Sequence, residues 1–174
     1  MACANLPYYI TSPILTALLE AECFESVTVM VQKEVAQRIA AKAGTADYSA
    51  FTIFCQYYAE PEILFDVPAG CFMPAPKVTS AVIQLIPHEN GIYSVYENAP
   101  ADREECDRFG AKVTELISAA FGMRRKTLVN ALSSIYPKEK TIPALAALGM
   151  REDIRGEKLS ARDFCALTDE LMKL

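Results

Sequence analysis

Val27-Thr28-Val29-Met30-Val31 is a short, largely apolar run with three β-branched valines and a threonine. Such a run fits a strand covered on both faces, which requires helices packed against a sheet. Helical patterns flank it. Ser12 is placed to cap a helix with Pro13 at its first position, and Ile14, Leu15, Leu18 and Leu19 give that helix one apolar face. Residues 33–42 read as a second helix with Val35, Ala36 and Ile39 turned inward, and residues 48–58 as a third carrying Phe51, Phe54 and Cys55. Residues 62–67 and 78–87 read as strands joined by the proline-rich loop 68–77. The order strand, helix, strand, helix, helix, strand, strand predicts an α/β fold: the closing half of a doubly wound sheet whose last two strands pair antiparallel.

Beyond residue 88 the pattern changes. Residues 89–100, with Gly91, two asparagines and Pro100, read as a linker between units at 1–88 and 101–174. The second unit is all-helical. Phe109, Val113, Leu116, Ile117, Ala120 and Phe121 keep helical spacing up to Gly122. Leu128, Val129, Leu132, Ile135 and Tyr136 make another helix closed by Pro137, residues 142–148 a short third, and Ser160-Ala161-Arg162-Asp163 a capping box that opens the last.

Composition excludes several classes. No apolar stretch approaches the roughly 20 residues of a membrane span, and no signal peptide precedes residue 5. The six cysteines form no C-x-x-C pair and His88 is the one histidine, so no metal site is expected. Most cysteines read as buried small apolar side chains in a reducing cytoplasm. The net charge of −5 is unevenly spread: residues 1–100 balance at −6 and residues 101–174 at +1, with Arg124-Arg125-Lys126 as a tight basic cluster. A local basic face binds phosphates even on an acidic molecule. The cluster reads as the first turn of the helix that begins near Leu128. Cations there oppose the helix dipole, so an anion such as an RNA phosphate is expected beside them.

Asn5-Leu6-Pro7-Tyr8 stands where a strand ends and the Ser12-Pro13 helix begins. It offers one side-chain amide oxygen, one free main-chain carbonyl at Leu6 or Pro7, and one ring. Those groups suit the amine of a flipped adenine, whose lone pair is delocalised until two acceptors hold its hydrogens. Stacking on an aromatic ring contributes roughly 1–3 kcal/mol towards the cost of unstacking the base. An ordinary turn with a half-buried tyrosine is the plainer alternative.

Four motifs occur in order: Asn5-Leu6-Pro7-Tyr8-Tyr9-Ile10-Thr11-Ser12-Pro13, Gln32-Lys33-Glu34-Val35-Ala36-Gln37-Arg38, Phe72-Met73-Pro74-Ala75-Pro76-Lys77-Val78 and Phe121-Gly122-Met123-Arg124-Arg125-Lys126-Thr127-Leu128. Together they resemble the ribosomal RNA adenine dimethyltransferases of the KsgA type. The resemblance implies a Rossmann-like methyltransferase sheet followed by a helical RNA-binding domain. It implies S-adenosylmethionine as methyl donor, met by Asn5, and small-subunit ribosomal RNA in a pre-ribosomal particle as substrate. Asn5, Leu6, Pro7 and Tyr8 would be catalytic, Tyr8 and Phe72 would stack on the base, and Lys77, Arg124, Arg125 and Lys126 would contact RNA. The glycine-rich cofactor turn of the family has no counterpart among the seven glycines. The chain is therefore expected to be the second half of a catalytic domain plus its C-terminal domain, weak in cofactor binding and prone to self-association through a sheet edge near residues 1–5. A large-subunit resistance methyltransferase, a DNA adenine methyltransferase and a non-catalytic RNA-binding assembly module remain alternatives.

Overall fold

The computed structural model describes residues 1–88, 96 and 102–173. Four strands, β1 (Ala2–Asn5), β2 (Val27–Gln32), β3 (Ala59–Val67) and β4 (Ser80–Pro87), form one mixed sheet in the order β1-β2-β4-β3. β1 runs parallel to β2, and β4 is antiparallel to both β2 and β3. The expected antiparallel closing pair is present.

Three helices follow the strands on one side: α1 (Thr11–Glu20), α2 (Lys33–Ile39) and α3 (Ala50–Tyr58). Their side chains Leu15, Leu19, Ala36, Ile39 and Cys55 meet Val27, Val29, Val31, Ala81, Ile83 and Leu85, which share one face by register. The opposite face is open among the described residues. Thr28, Met30, Val82 and Gln84 are only half-buried there, and Ile86 is exposed. This corrects the expectation of a strand covered on both faces: among the described residues, α1, α2 and α3 cover one side of it.

The start of α1 also differs from expectation. Ser12 does not cap it; a 3-10 turn at Tyr8–Ile10 runs straight into the helix, and the Thr11 hydroxyl donates back to the Pro7 carbonyl at 3.2 Å. Ser49 caps α3 instead, in a reciprocal box with Thr52.

The helical part holds α4 (Arg103–Gly122), α5 (Leu128–Leu132), α6 (Lys138–Ala147) and α7 (Ala161–Lys173). The capping box at its last helix is as expected: the Asp163 amide donates to Ser160 Oγ, and the Ser160 amide donates to Asp163 Oδ2 at 2.8 Å. α6 starts at Lys138 rather than 142 because the Pro137 carbonyl accepts from the Lys140 and Thr141 amides. Phe109, Val113, Leu116, Leu128, Leu132, Leu145, Phe164 and Leu167 fill its core. Fully burying each such side chain contributes roughly 1.5–3 kcal/mol before entropy is counted.

Helix α3 serves both cores. It turns Phe51, Phe54, Cys55 and Tyr58 to the sheet, and Ile53 and Tyr57 to the helical cluster. Of the expected linker only Tyr96 lies within the described residues. It is buried, stacks on Phe109 with ring centroids 5.9 Å apart, and donates to Asp169 at 2.7 Å.

Candidate functional site

β1 and β2 are parallel, so their carboxyl ends open together at one rim of the sheet, where ligands meet α/β folds. The Leu6 amide extends the ladder by donating to the Met30 carbonyl at 3.1 Å, and Pro7 then turns the chain. On the far side of the rim, the segment from Pro68 to Lys77 returns towards β4, and its Met73–Pro74 peptide is cis. Asn5, Leu6, Pro7, Tyr8, Phe72, Pro74 and Pro76 line one cleft of about 320 Å³. The turn and the loop are far apart in sequence, and folding brings their two rings to the same space.

The polar groups of the turn are unequally engaged. The Pro7 carbonyl already accepts from the Ile10 amide at 3.1 Å and from the Thr11 hydroxyl. The Leu6 carbonyl and the Asn5 carboxamide accept and donate no bond among the described residues. Of the two carbonyls that the sequence leaves open, Leu6 is thus the one available to a ligand. Tyr8 is half-buried, and its phenol lies 2.6 Å from Ser80 Oγ. Phe72 is half-buried in its loop. Thr11 and Ser80 are both sealed from water, and sequence reasoning misses both; their signal is a hydroxyl residue at an element's first position.

The chain matches the family described as ribosomal RNA adenine dimethylase over residues 1–173. The chain belongs to this family. Among curated relatives it is 42% identical over 164 residues to ribosomal RNA small subunit methyltransferase A of Chlamydia muridarum, covering 92% of this chain and 54% of the relative. It is 44% identical over 172 residues to the protein of the same name from Lachnoclostridium phytofermentans, covering 95% and 55%. The chain therefore spans about half the length of these relatives. In fold it is similar to a dimethyladenosine transferase from Plasmodium falciparum, with a TM-score of 0.79, 24% identity and coverage of 99% of this chain and 67% of the other. It is also similar to the 23S ribosomal RNA methyltransferase ErmE, with a TM-score of 0.68, 23% identity and coverage of 98% and 64%. The Rossmann-like sheet expected from sequence is the fold that this chain shares with these solved structures.

The basic cluster sits differently from its expected place. Gly122 ends α4, the Lys126 amide donates to the Met123 carbonyl at 2.8 Å, and Thr127 caps α5, so Arg124, Arg125 and Lys126 form the turn between two helices. They follow the carboxyl end of a long helix, where the dipole favours cations rather than opposing them. Arg124 is committed within the fold: its Nε donates to Glu157 at 2.9 Å and its Nη2 to the Ala46 carbonyl at 3.1 Å. Arg125 and Lys126 are exposed, with no ion pair among the described residues. Lys77 is also exposed, in the segment that leads from the Phe72 loop to β4.

Other expectations divide. Within the second motif, Arg38 pairs with Glu34 at 2.6 Å along α2. His88 is half-buried, its Nε2 3.1 Å from the Gln56 carbonyl. The cysteines need correction: Cys55 and Cys165 are buried, but Cys3, Cys23 and Cys71 are exposed on the β1 edge and in loops. No described group of three His, Cys, Asp or Glu side chains gathers into a metal-binding cluster, and no described helix is long and apolar enough to cross a membrane.

Proposed function

We propose that this chain is the base-holding and RNA-gripping part of an S-adenosylmethionine-dependent dimethyltransferase acting on adenines of small-subunit ribosomal RNA. One observation carries the reading: the Asn5–Tyr8 turn and Phe72 line a single cleft with two unengaged acceptors at its edge. A flipped adenine enters between the Tyr8 and Phe72 rings. Its amine is held by the Asn5 carboxamide oxygen and the Leu6 carbonyl, which draws the nitrogen lone pair out of conjugation. The cleft is open at its edge, so the proton released from nitrogen leaves to solvent, and positioning does most of the work.

S-adenosylmethionine supplies an electrophilic methyl group when bound. Asn5, at the edge of the cleft, would meet it, and the sequence has no G-x-G turn to hold its nucleoside. Residues 1–88 would form the catalytic part, 89–100 the connection and 101–174 the part that grips RNA shape and phosphates, with Lys77, Arg125 and Lys126 outermost. Arg124 braces that surface. The unpaired side of β1 would self-associate at high concentration, which sedimentation velocity tests by a concentration-dependent shift to dimer. The setting is a pre-ribosomal particle in the cytoplasm.

The test is methyl transfer by this chain joined to the amino-terminal half of a curated relative. Transfer to small-subunit particles, with little to large-subunit RNA or DNA, is the expected result. Transfer to large-subunit RNA instead would favour the resistance type, and none to any substrate would favour the assembly module.

A further inference from the structure

Along the open face of β4, exposure rises with distance from the cleft: Ser80 is fully buried, Val82 and Gln84 are half-buried, and Ile86 is exposed. Ser80 is the one residue of that row sealed from water. A buried hydroxyl needs a partner, because leaving it alone costs more than the bond itself contributes. Its partner is the Tyr8 phenol at 2.6 Å.

The two ends of this bond belong to the two walls of the cleft. Tyr8 opens the turn after β1. Ser80 is the first residue of β4, in register with Gln32 on one side and Val67 on the other. It stands at the root of the segment that carries Phe72, and the Lys33 amide fixes that root by donating to the Thr79 carbonyl at 3.0 Å. A tyrosine ring at an open cleft turns about two side-chain torsions. A bond at its far end restrains both, so the ring face keeps one tilt towards the space it shares with Phe72.

We propose that Ser80 is a positioning residue for the aromatic cleft: without touching the base, it sets the tilt of the Tyr8 ring against the wall that bears Phe72. This rests on the base-holding reading above. It adds a residue outside the cleft lining whose removal leaves both rings in place.

The test uses the full chain and an RNA hairpin with 2-aminopurine at the target position and a dye at one end. Polarisation reads overall RNA binding; quenching of 2-aminopurine reads base stacking. Ser80→Ala is expected to weaken the quenching constant by about fivefold, the scale of one neutral hydrogen bond, with polarisation affinity within about twofold. Tyr8→Phe breaks the same bond from the other end and should match it, the double variant should lose no more than either single one, and Ser80→Thr should restore quenching. Additive losses, or full quenching by Ser80→Ala where Tyr8→Ala abolishes it, would overturn the proposal and leave the base-holding reading standing. No quenching by the unaltered chain would overturn both.

Discussion

Tyr48 donates its phenolic hydrogen to the Leu159 carbonyl at 2.8 Å, and both residues are fully buried. This bond joins the loop before α3 to the turn before α7. Gly44 adds a second tie, its amide donating to the Glu157 carbonyl at 2.7 Å. The helical part is thereby sewn to the segment between α2 and α3. Tyr48→Phe keeps the ring and orphans a buried carbonyl, so urea denaturation should show a destabilisation of roughly 1–3 kcal/mol. A change below about 0.3 kcal/mol would mean the bond adds nothing to the junction.

Gly156, in the same turn, lies close against α4. A β-carbon there would stand 2.7 Å from the Ala120 β-carbon, inside any normal contact. Gly156→Ala should destabilise by about 1–3 kcal/mol through overpacking. Ala120→Gly in the same chain should recover part of that stability despite its own helix penalty, as thermal melts of the three variants will show.

Burial pushes the thiols of Cys55 and Cys165 up to about 12 from an ordinary 9.0. Burial likewise raises the phenols of Tyr48, Tyr57 and Tyr58, with nearby Asp163, Cys165 and Glu20 as further causes in turn. Each group holds its proton more tightly folded than unfolded. The stability from these groups is therefore complete below about pH 9 and falls as pH rises towards 12. Denaturation midpoints should hold from pH 7 to 9 and drop steeply above it. In native protein at pH 8, iodoacetamide should label Cys3, Cys23 and Cys71 and spare Cys55 and Cys165; equal labelling of all would contradict the burial described.

Much of the fold is legible from local pattern. The strand at 27–31, the helix inside 48–58 and the Ser160 capping box each follow from a few neighbouring residues, and the structure has all three. That Tyr8 and Phe72 share one cleft is expected through family resemblance rather than periodicity. What escapes is tertiary. Ser12 looks like a cap because Ser-Pro usually marks one, but the 3-10 turn at Tyr8–Ile10 has already started the helix. The cluster at Arg124 looks like a helix start because nothing local reveals that α4 ends at Gly122 and a turn intervenes. Arg124's commitment to Glu157 and the Tyr8–Ser80 bond join residues too far apart in sequence for any spacing rule to catch.

That commitment separates three adjacent cations. Arg125→Ala and Lys126→Ala should each weaken RNA binding and reduce the magnitude of the log-affinity against log-salt slope by about 0.7–0.9 for every phosphate no longer neutralised. Arg124→Ala should change that slope little and lower the melting temperature instead, since its guanidinium ties the 42–48 loop to the 156–158 turn. Equal slope changes for all three would contradict this division.

The central claim is that an adenine amine is held at Asn5 and Leu6 between two rings, and single-turnover methyl transfer tests it most directly. With this chain joined to a relative's amino-terminal half and small-subunit particles as substrate, Asn5→Ala should lower the rate at least about 100-fold while particle affinity stays within about threefold. An unchanged rate, or an effect lying entirely in particle affinity, would contradict it.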